Sequence, residues 1–446
     1  MSRKLTLKNG LDLELEGAAP VAKPKKIAVA TVAIVPDDFP GFTPKPEVAE
    51  GDKVFPGTPL FHDKWADQVK IVSPVGGTVK GIVRGARRKI ERIEVDVDTA
   101  STASATATAP KTREQALDFL KAQGLWAMMR QRPYDIVPEA NAIPRDIFIT
   151  AFDSNPLAPN FDFLLEGHAM YLAEGVRILK LITDGRVYVS RRIGQSVANI
   201  PGAEMVDIDG AHPSGNPGVQ AANIAPVNKG EVIFTLDALT LSRIGVVALT
   251  GHDGAWMSTV AVTGSEVRIP EYVDVPIGAP LSAILHNNIK EDSVHHRVIS
   301  GNVFTGKKES LEGYLRYPYT QVTVIPEGDD VAEFMGWASM SPAKSSVSRS
   351  FPGHFFSRRL SPDARLMGGR RAMIMSGEYD KVIPMDILPE YLIKAIIARD
   401  IDKMEALGIY EVAPEDFAAA EYVDTSKLPL QQIVRDGLDY LRKELS

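Results

Sequence analysis

The chain is 446 residues long, enough for about three domains that each bury a core, and its formal net charge of −7 removes any global electrostatic argument for nucleic acid. It contains no cysteine, which excludes disulfides, thiolate zinc sites, cysteine nucleophiles and Cys-ligated iron–sulfur clusters together, and fits a reducing compartment. The start, MSRKLTLKNGLDLELEG, lacks the apolar stretch of a signal peptide, and the longest apolar runs (27–35 and 244–251) are strand-length where a spanning helix needs about 20 residues, so a soluble or peripheral chain is expected.

In chain order, the first strong signal is a glycine-punctuated run of short strands over 48–97. Turns are placed at Gly51-Asp52 and Pro56-Gly57, where glycine frees φ and proline removes a donor. Residues 91–98 alternate, with Ile93, Val95 and Val97 on one face and Glu94, Asp96 and Asp98 on the other. The pattern resembles the flattened β-sandwich of biotinyl and lipoyl carrier domains. Lys64 and Lys70, in FHDKWADQVKIV (61–72), lack the Met-Lys-Met or Asp-Lys-Ala context of a modified lysine, so the architecture is expected without its prosthetic group. TASTASATATA (99–109) has no apolar face and reads as a flexible linker.

Thr112 and Gln115 then form a capping box, opening a helical pattern through Leu117, Leu120, Leu125 and Met128 that Pro133 ends. Residues 145–159 read as a buried strand running into a proline-rich loop. Residues 161–192 read as helix, strand, a turn at Asp184-Gly185 and strand; the loop HPSGNPG (212–218) and a helix-like stretch at 231–243 follow. This alternation predicts an open, partly parallel sheet with helices packed on it. From about 244 the pattern turns to β, through 264–285 and 312–330. The last hundred residues are mostly helical, with Leu388, Leu392, Ile396 and Ile397 at helical spacing and a second such run at 430–445.

The chemistry-bearing motifs are few. There is no Gly-x-Gly, so the α/β segment lacks a dinucleotide fingerprint, and in HPSGNPG Pro213 and Pro217 delete two donors that a phosphate nest would use. GNVFTGKK (301–308) matches seven positions of a P-loop but puts Lys308 where a magnesium-binding hydroxyl belongs, which favours a β-turn with two solvated lysines. The histidines form no metal signature, and His252-Asp253 in TGHDGAW is better read as a structural turn than as a catalytic dyad. The segment 346–371 reverses the sign of the chain's charge. Its Arg349, Arg358, Arg359, Arg365, Arg370 and Arg371, interleaved with Phe351, Phe355 and Phe356, suit an interface with an acidic partner or anionic lipid headgroups, against the alternative of a solvated loop.

In order along the chain, LKNGLDLELEG (7–17), EGDKVFPGTPLF (50–61), SPVGGTVKGIVRGARRKIERI (73–93), RDIFITAFDSNPLAP (145–159), HPSGNPG (212–218), VTGSEVRIPEYVDVPIGAPLSAIL (262–285), SGNVFTGKK (300–308) and residues 398–427 resemble the NqrA family, the A subunit of the sodium-translocating NADH:quinone oxidoreductase. The resemblance implies an α/β and β multidomain fold shared with the flavin-bearing NADH subunit of respiratory complex I. Its parts would be a biotinyl/lipoyl-like β domain at 1–98, the Ala/Ser/Thr linker at 99–111, a Rossmann-like α/β domain at 112–250, a β-grasp-like, soluble-ligand-binding domain at 251–335 and a mainly helical region at 336–446. It also implies a peripheral subunit on the cytoplasmic face of the bacterial inner membrane. The six-subunit complex there oxidises NADH, reduces quinone (ubiquinone or menaquinone) and exports Na+. Flavins and the iron–sulfur cluster would then belong to partner subunits; this chain would carry no catalytic, cofactor or metal residue and no complete activity alone, and would serve assembly and quinone contact. The alternative is a flavin- or NADH-binding oxidoreductase subunit of complex-I ancestry, against which the missing Gly-x-Gly counts.

Overall fold

The computed structural model describes residues 3–98, 100, 108–291, 294–329, 351–355 and 359–445. Most of the Ala/Ser/Thr run expected as a linker (99 and 101–107), together with Arg349, Phe356 and Arg358 of the basic segment, falls outside them.

A four-stranded and a three-stranded antiparallel sheet form the N-terminal sandwich, from strands between Thr31–Ile34 and Ile90–Val97. The alternation at 91–98 is visible in its burial: Ile93 and Val95 are fully enclosed while Asp96 is exposed. The hairpin of Pro59–Asp63 and Ala66–Val72 turns on Lys64 and Trp65, so Lys64 does occupy the tip position of a carrier lysine; its ammonium lies 4.7 Å from the exposed Trp65 ring, and Lys70 pairs with Glu47. The first residues go elsewhere. Arg3–Thr6 pairs in parallel with Glu204–Asp209 of the α/β sheet, and Lys25–Lys26 pairs with Val273 and Asp274 of the third sheet. The N-terminal segment therefore straps the layers together before it enters the sandwich.

The α/β sheet has six strands in the order Arg3–Thr6, Glu204–Asp209, Val187–Arg192, Ile147–Thr150, Ile233–Asp237 and Arg130–Arg132, parallel except for the last. Ile147–Thr150 is buried along its whole length, as expected of a central parallel strand covered on both faces. Two helices differ from their sequence reading. The run 176–182 continues the helix Ala169–Ile182 because Leu172, Val176, Leu179 and Ile182 lie on one buried face at helical spacing. Within 231–250, Ile233–Asp237 is a strand and Ala238–Thr250 a helix, since Asp237 Oδ1 accepts from the Thr240 N–H and caps it. These two helices pack closely through glycines: a Cβ on Gly245 would lie 2.0 Å from the Tyr171 carbonyl oxygen. The helix capped by Thr112 ends at Ala122, short of Pro133, because Gly124 takes a left-handed conformation and a 3-10 turn follows; Gln115 bonds the Lys111 N–H rather than that of Thr112.

The third sheet is built from the hairpin Met257–Thr263 and Glu271–Pro276, the short helix Leu281–Ile284, and a final strand, Gln321–Pro326, that lies parallel to the first. This is a β-grasp arrangement. The P-loop-like stretch is the turn between His296–Ser300 and Lys307–Glu309, closed by Asn302 accepting from the Phe304 and Thr305 N–H groups. Its lysines are ion-paired rather than free: Lys307 with Asp38 at 3.2 Å and Lys308 with Glu327 at 2.8 Å.

The C-terminal helices Pro389–Ala398, Ile401–Ala406, Ala418–Val423 and Leu430–Leu445 surround Leu392, Ile396, Met404, Phe417, Leu438 and Leu441. The expected helix over 388–408 breaks where Arg399 turns left-handed and Asp400 caps the second piece. Among the described residues no helix is long and apolar enough to cross a membrane.

One buried ion pair fastens these helices to the α/β sheet. Arg132, on the antiparallel edge strand, donates to Asp416 Oδ2 and to Glu415 Oε1, both at 3.0 Å; Arg132 and Asp416 are enclosed, and Asp416 also accepts from Asn216 Nδ2 and the Ala413 N–H. Asp416→Asn is expected to lower unfolding free energy by about 3 kcal/mol, because it removes the one enclosed countercharge of a buried guanidinium and leaves it only the partly exposed Glu415. Urea denaturation checks this, and a change within about 0.5 kcal/mol would show that the pair contributes little.

Candidate functional site

In an open α/β sheet a ligand crevice forms outside the carboxyl ends of the strands, where the strand order reverses. Here the chain runs from Ile147–Thr150 outward through Val187–Arg192 and Glu204–Asp209, then returns to the other side of the central strand with Ile233–Asp237. The switch point lies between Thr150 and Asp237. A crevice of about 400 Å3 opens there, within the range that small-molecule sites occupy.

Its floor is the loop after the central strand. Asp153 Oδ1 accepts from the Asn155 N–H and Nδ2, both at 2.7 Å, and burial, reinforced by nearby Asp237, raises the Asp153 carboxyl above its usual range despite those bonds. HPSGNPG forms a second wall and is held rigidly: Gln220 donates to Thr150 Oγ1 and the Ser214 carbonyl, and Ser154 Oγ accepts from the Gly215 N–H. His212, at its start, is enclosed, faces Ser154 Oγ at 3.1 Å, and is pushed by burial down to about 3.

The β-grasp sheet supplies the opposite wall through Tyr317, Tyr319 and Gln321. Tyr317 Oη donates to the Met128 carbonyl at 2.7 Å, and burial pushes its phenol up to about 12, so it remains a neutral hydroxyl. Tyr319 Oη donates to the Thr305 carbonyl. Asp38 of the sandwich ties this wall down by pairing with Arg316 at 2.7 Å and accepting from the Tyr317 N–H. Phe152 and Phe161 complete the apolar lining. On the far side of the same loop lies a wider cavity of about 660 Å3, which shares Phe152, Asp153, Asn155 and Phe161 with the crevice and has Arg192 and Arg359 on its wall.

The arginines singled out in the sequence do not form one patch. Arg359 is exposed beside that wider cavity; Arg365 is half-buried and paired with Asp363 at 2.5 Å; Arg370 and Arg371 are exposed on an extended strap held to Ser426. Arg349 and Arg358 lie outside the described residues. Sequence reasoning missed Asp153, Asn155, Tyr317, Tyr319 and Gln321. The usable signal was positional, a proline-rich polar loop directly after the most apolar predicted strand. Among the described residues no group of three or more acidic or histidine side chains could hold a metal ion.

In the His252-Asp253-Gly254 turn both ring nitrogens of His252 are engaged within the fold. His252 Nδ1 accepts from Trp256 Nε1–H at 3.0 Å, Nε2 bonds Gln123, and the ring lies against Gly57 of the sandwich.

Family models match the chain in three places: an NqrA N-terminal barrel-sandwich hybrid domain at residues 5–98, an NqrA second alpha/beta domain at 111–253 and an NQRA C-terminal domain at 259–310. These define a three-part α/β and β multidomain protein, as the sequence resemblance implied. Relatives described as the A subunit of Na(+)-translocating NADH-quinone reductase are similar to it over nearly their whole length: that of Pasteurella multocida at 32% identity (99% of this chain, 100% of the relative), that of Vibrio anguillarum at 33% (99% and 100%) and that of Rhodopirellula baltica at 32% (98% and 98%). The chain belongs to this NqrA family, whose members form part of a translocase of the respiratory chain.

Burial pushes His252 down to about 4, and protonation would set a proton on Nδ1 against the Trp256 N–H. The unfolded histidine titrates near 6.5, so this contribution is complete above that pH and is lost as pH falls toward 4. His252→Gln, which can keep both hydrogen bonds, is expected to shrink the loss of urea stability between about pH 7 and pH 5. An unchanged slope would place the acid sensitivity elsewhere.

Proposed function

We propose that this chain is the peripheral, cytoplasmic-side subunit of a sodium-translocating NADH-quinone reductase. In this reading it carries no redox group of its own, organises neighbouring subunits, and offers its switch-point crevice to a quinone headgroup. The observation that carries the reading is the composition of the crevice in a member of this family. The loop after the central strand, 151–160, contains no glycine and turns Asp153 inward beside Asp237. A flavin or nicotinamide diphosphate would meet carboxylates there instead of a cradle of backbone N–H groups. A quinone-type headgroup, oxidised or reduced, needs only apolar walls and a few polar contacts; Phe152, Phe161 and Tyr317 supply the walls, with Asn155 and Gln321 beside them.

Assembly would use other surfaces. Arg370 and Arg371 stand exposed next to Ile374 and Met375 on the strap that crosses the helical region, a basic and apolar combination suited to an acidic partner protein or anionic headgroups.

The test is purification of the full chain followed by titration with a water-soluble short-chain benzoquinone, read by chemical-shift changes. The protein is expected to be colourless, and Tyr317→Ala is expected to weaken binding at least several-fold while the chain stays folded. Stoichiometric flavin in the purified protein, or quinone binding indifferent to Tyr317, would overturn the reading.

A further inference from the structure

Hydrogen-bonding capacity around the crevice is unbalanced. Its cationic and phenolic side chains already point donors at acceptors of the protein. Arg130 donates to the carbonyls of Ala127, Met129 and Asp38, and Arg435 to those of Tyr134 and Asp135. Lys307 pairs with Asp38, and both phenols donate to backbone carbonyls.

Its acceptors are in surplus. Asn155 uses Nδ2 on Asp153, which fixes the amide's orientation and leaves Oδ1 buried with no partner among the described residues. Gln321 is only 3% exposed, and its Nε2 faces the Pro156 carbonyl and the hydroxyls of Thr263 and Thr323 at 3.0–3.3 Å. Its Oε1 is likewise buried and unpartnered among the described residues. Asp153 and Asp237, both on the lining, each engage one carboxylate oxygen with nearby N–H groups. An unpaired buried acceptor costs free energy that a ligand's donor would recover.

The two redox forms of a quinone differ in this respect. A benzoquinone headgroup carries carbonyl oxygens, which accept only, so it would set lone pairs against lone pairs here. A hydroquinone carries two O–H donors on a ring of nearly the same shape. We infer that the crevice binds the reduced, hydroquinone form in preference to the quinone, with Asn155 Oδ1 and Gln321 Oε1 accepting from its hydroxyls. The inference rests on the quinone-contact reading above and adds a redox-state selectivity to it. Phe152, Phe161 and Tyr317 touch both forms alike, so selectivity resides in the polar groups. The crevice is then a place where product is held or passed on.

The test titrates the full chain, anaerobically and at neutral pH, with one water-soluble short-chain benzoquinone and with the same compound reduced to its hydroquinone. The hydroquinone is expected to bind about tenfold more tightly, about 1.4 kcal/mol. Asn155→Leu and, separately, Gln321→Met are expected to bring the two affinities together by weakening the hydroquinone, and melting curves confirm that each variant is folded. Equal affinities in the unaltered chain, or tighter binding of the quinone, would overturn the inference while leaving quinone contact intact. A preference that survives in both variants would overturn the assignment to these residues. Binding of neither form would overturn the inference and the quinone-contact reading together.

Discussion

The buried contact of Arg132 with Asp416 is the constraint on which the arrangement depends. Arg132 stands on the antiparallel edge strand of the α/β sheet, Asp416 in the turn that opens the last helical cluster, and Asn216 in HPSGNPG joins them. Because both charges are out of water, each needs the other, and the geometry is held as a unit. One consequence is that the loop 212–218, which has no secondary structure until its last two residues, is fixed on two sides. It has Asp416 behind it, and Ser154 and Gln220 beside it. A rigid wall for the crevice follows from chemistry outside the crevice.

The remaining walls come from different layers. Asp38 of the sandwich clamps Arg316 and the backbone of Tyr317, so the β-grasp sheet faces the switch point with its aromatic edge. The N-terminal segment reinforces this by joining one strand to the α/β sheet and two residues to the β-grasp sheet. A crevice built from three layers is sensitive to how they dock. The enclosed His252, wedged between Gly57, Gln123 and Trp256 and held below its usual pKa by burial, makes the docking of the sandwich sensitive to acid.

Much of the fold was legible because local rules agreed with the tertiary outcome. The alternation at 91–98, the cap at Thr112 and the buried strand at 147–150 all form as their residues dictate. The misread elements are short apolar runs whose periodicity is ambiguous. Residues 176–182 and 244–251 look like strands by composition, and only their packing against each other through Gly175 and Gly245 makes the helical face evident. The site was scarcely legible. Asn155 and Gln321 are 166 positions apart, and nothing in either neighbourhood announces that a parallel β-grasp strand will bring Gln321 against the loop that carries Asn155, at the Pro156 carbonyl. The arginine segment was the opposite case. It is conspicuous in composition, yet its described members are dispersed between a cavity wall, an internal pair with Asp363 and the exposed strap.

The switch-point crevice, framed by the Arg132–Asp416 contact, is thus the proposed meeting point of this chain with its small-molecule ligand. Backbone hydrogen exchange of the full chain, with and without a saturating short-chain hydroquinone, tests that placement most directly. Protection is predicted in 151–161, 212–218 and 317–321 together, with the sandwich hairpin at 59–72 unaffected. Protection confined to the strap at 364–375, or to any surface away from those three segments, would contradict it.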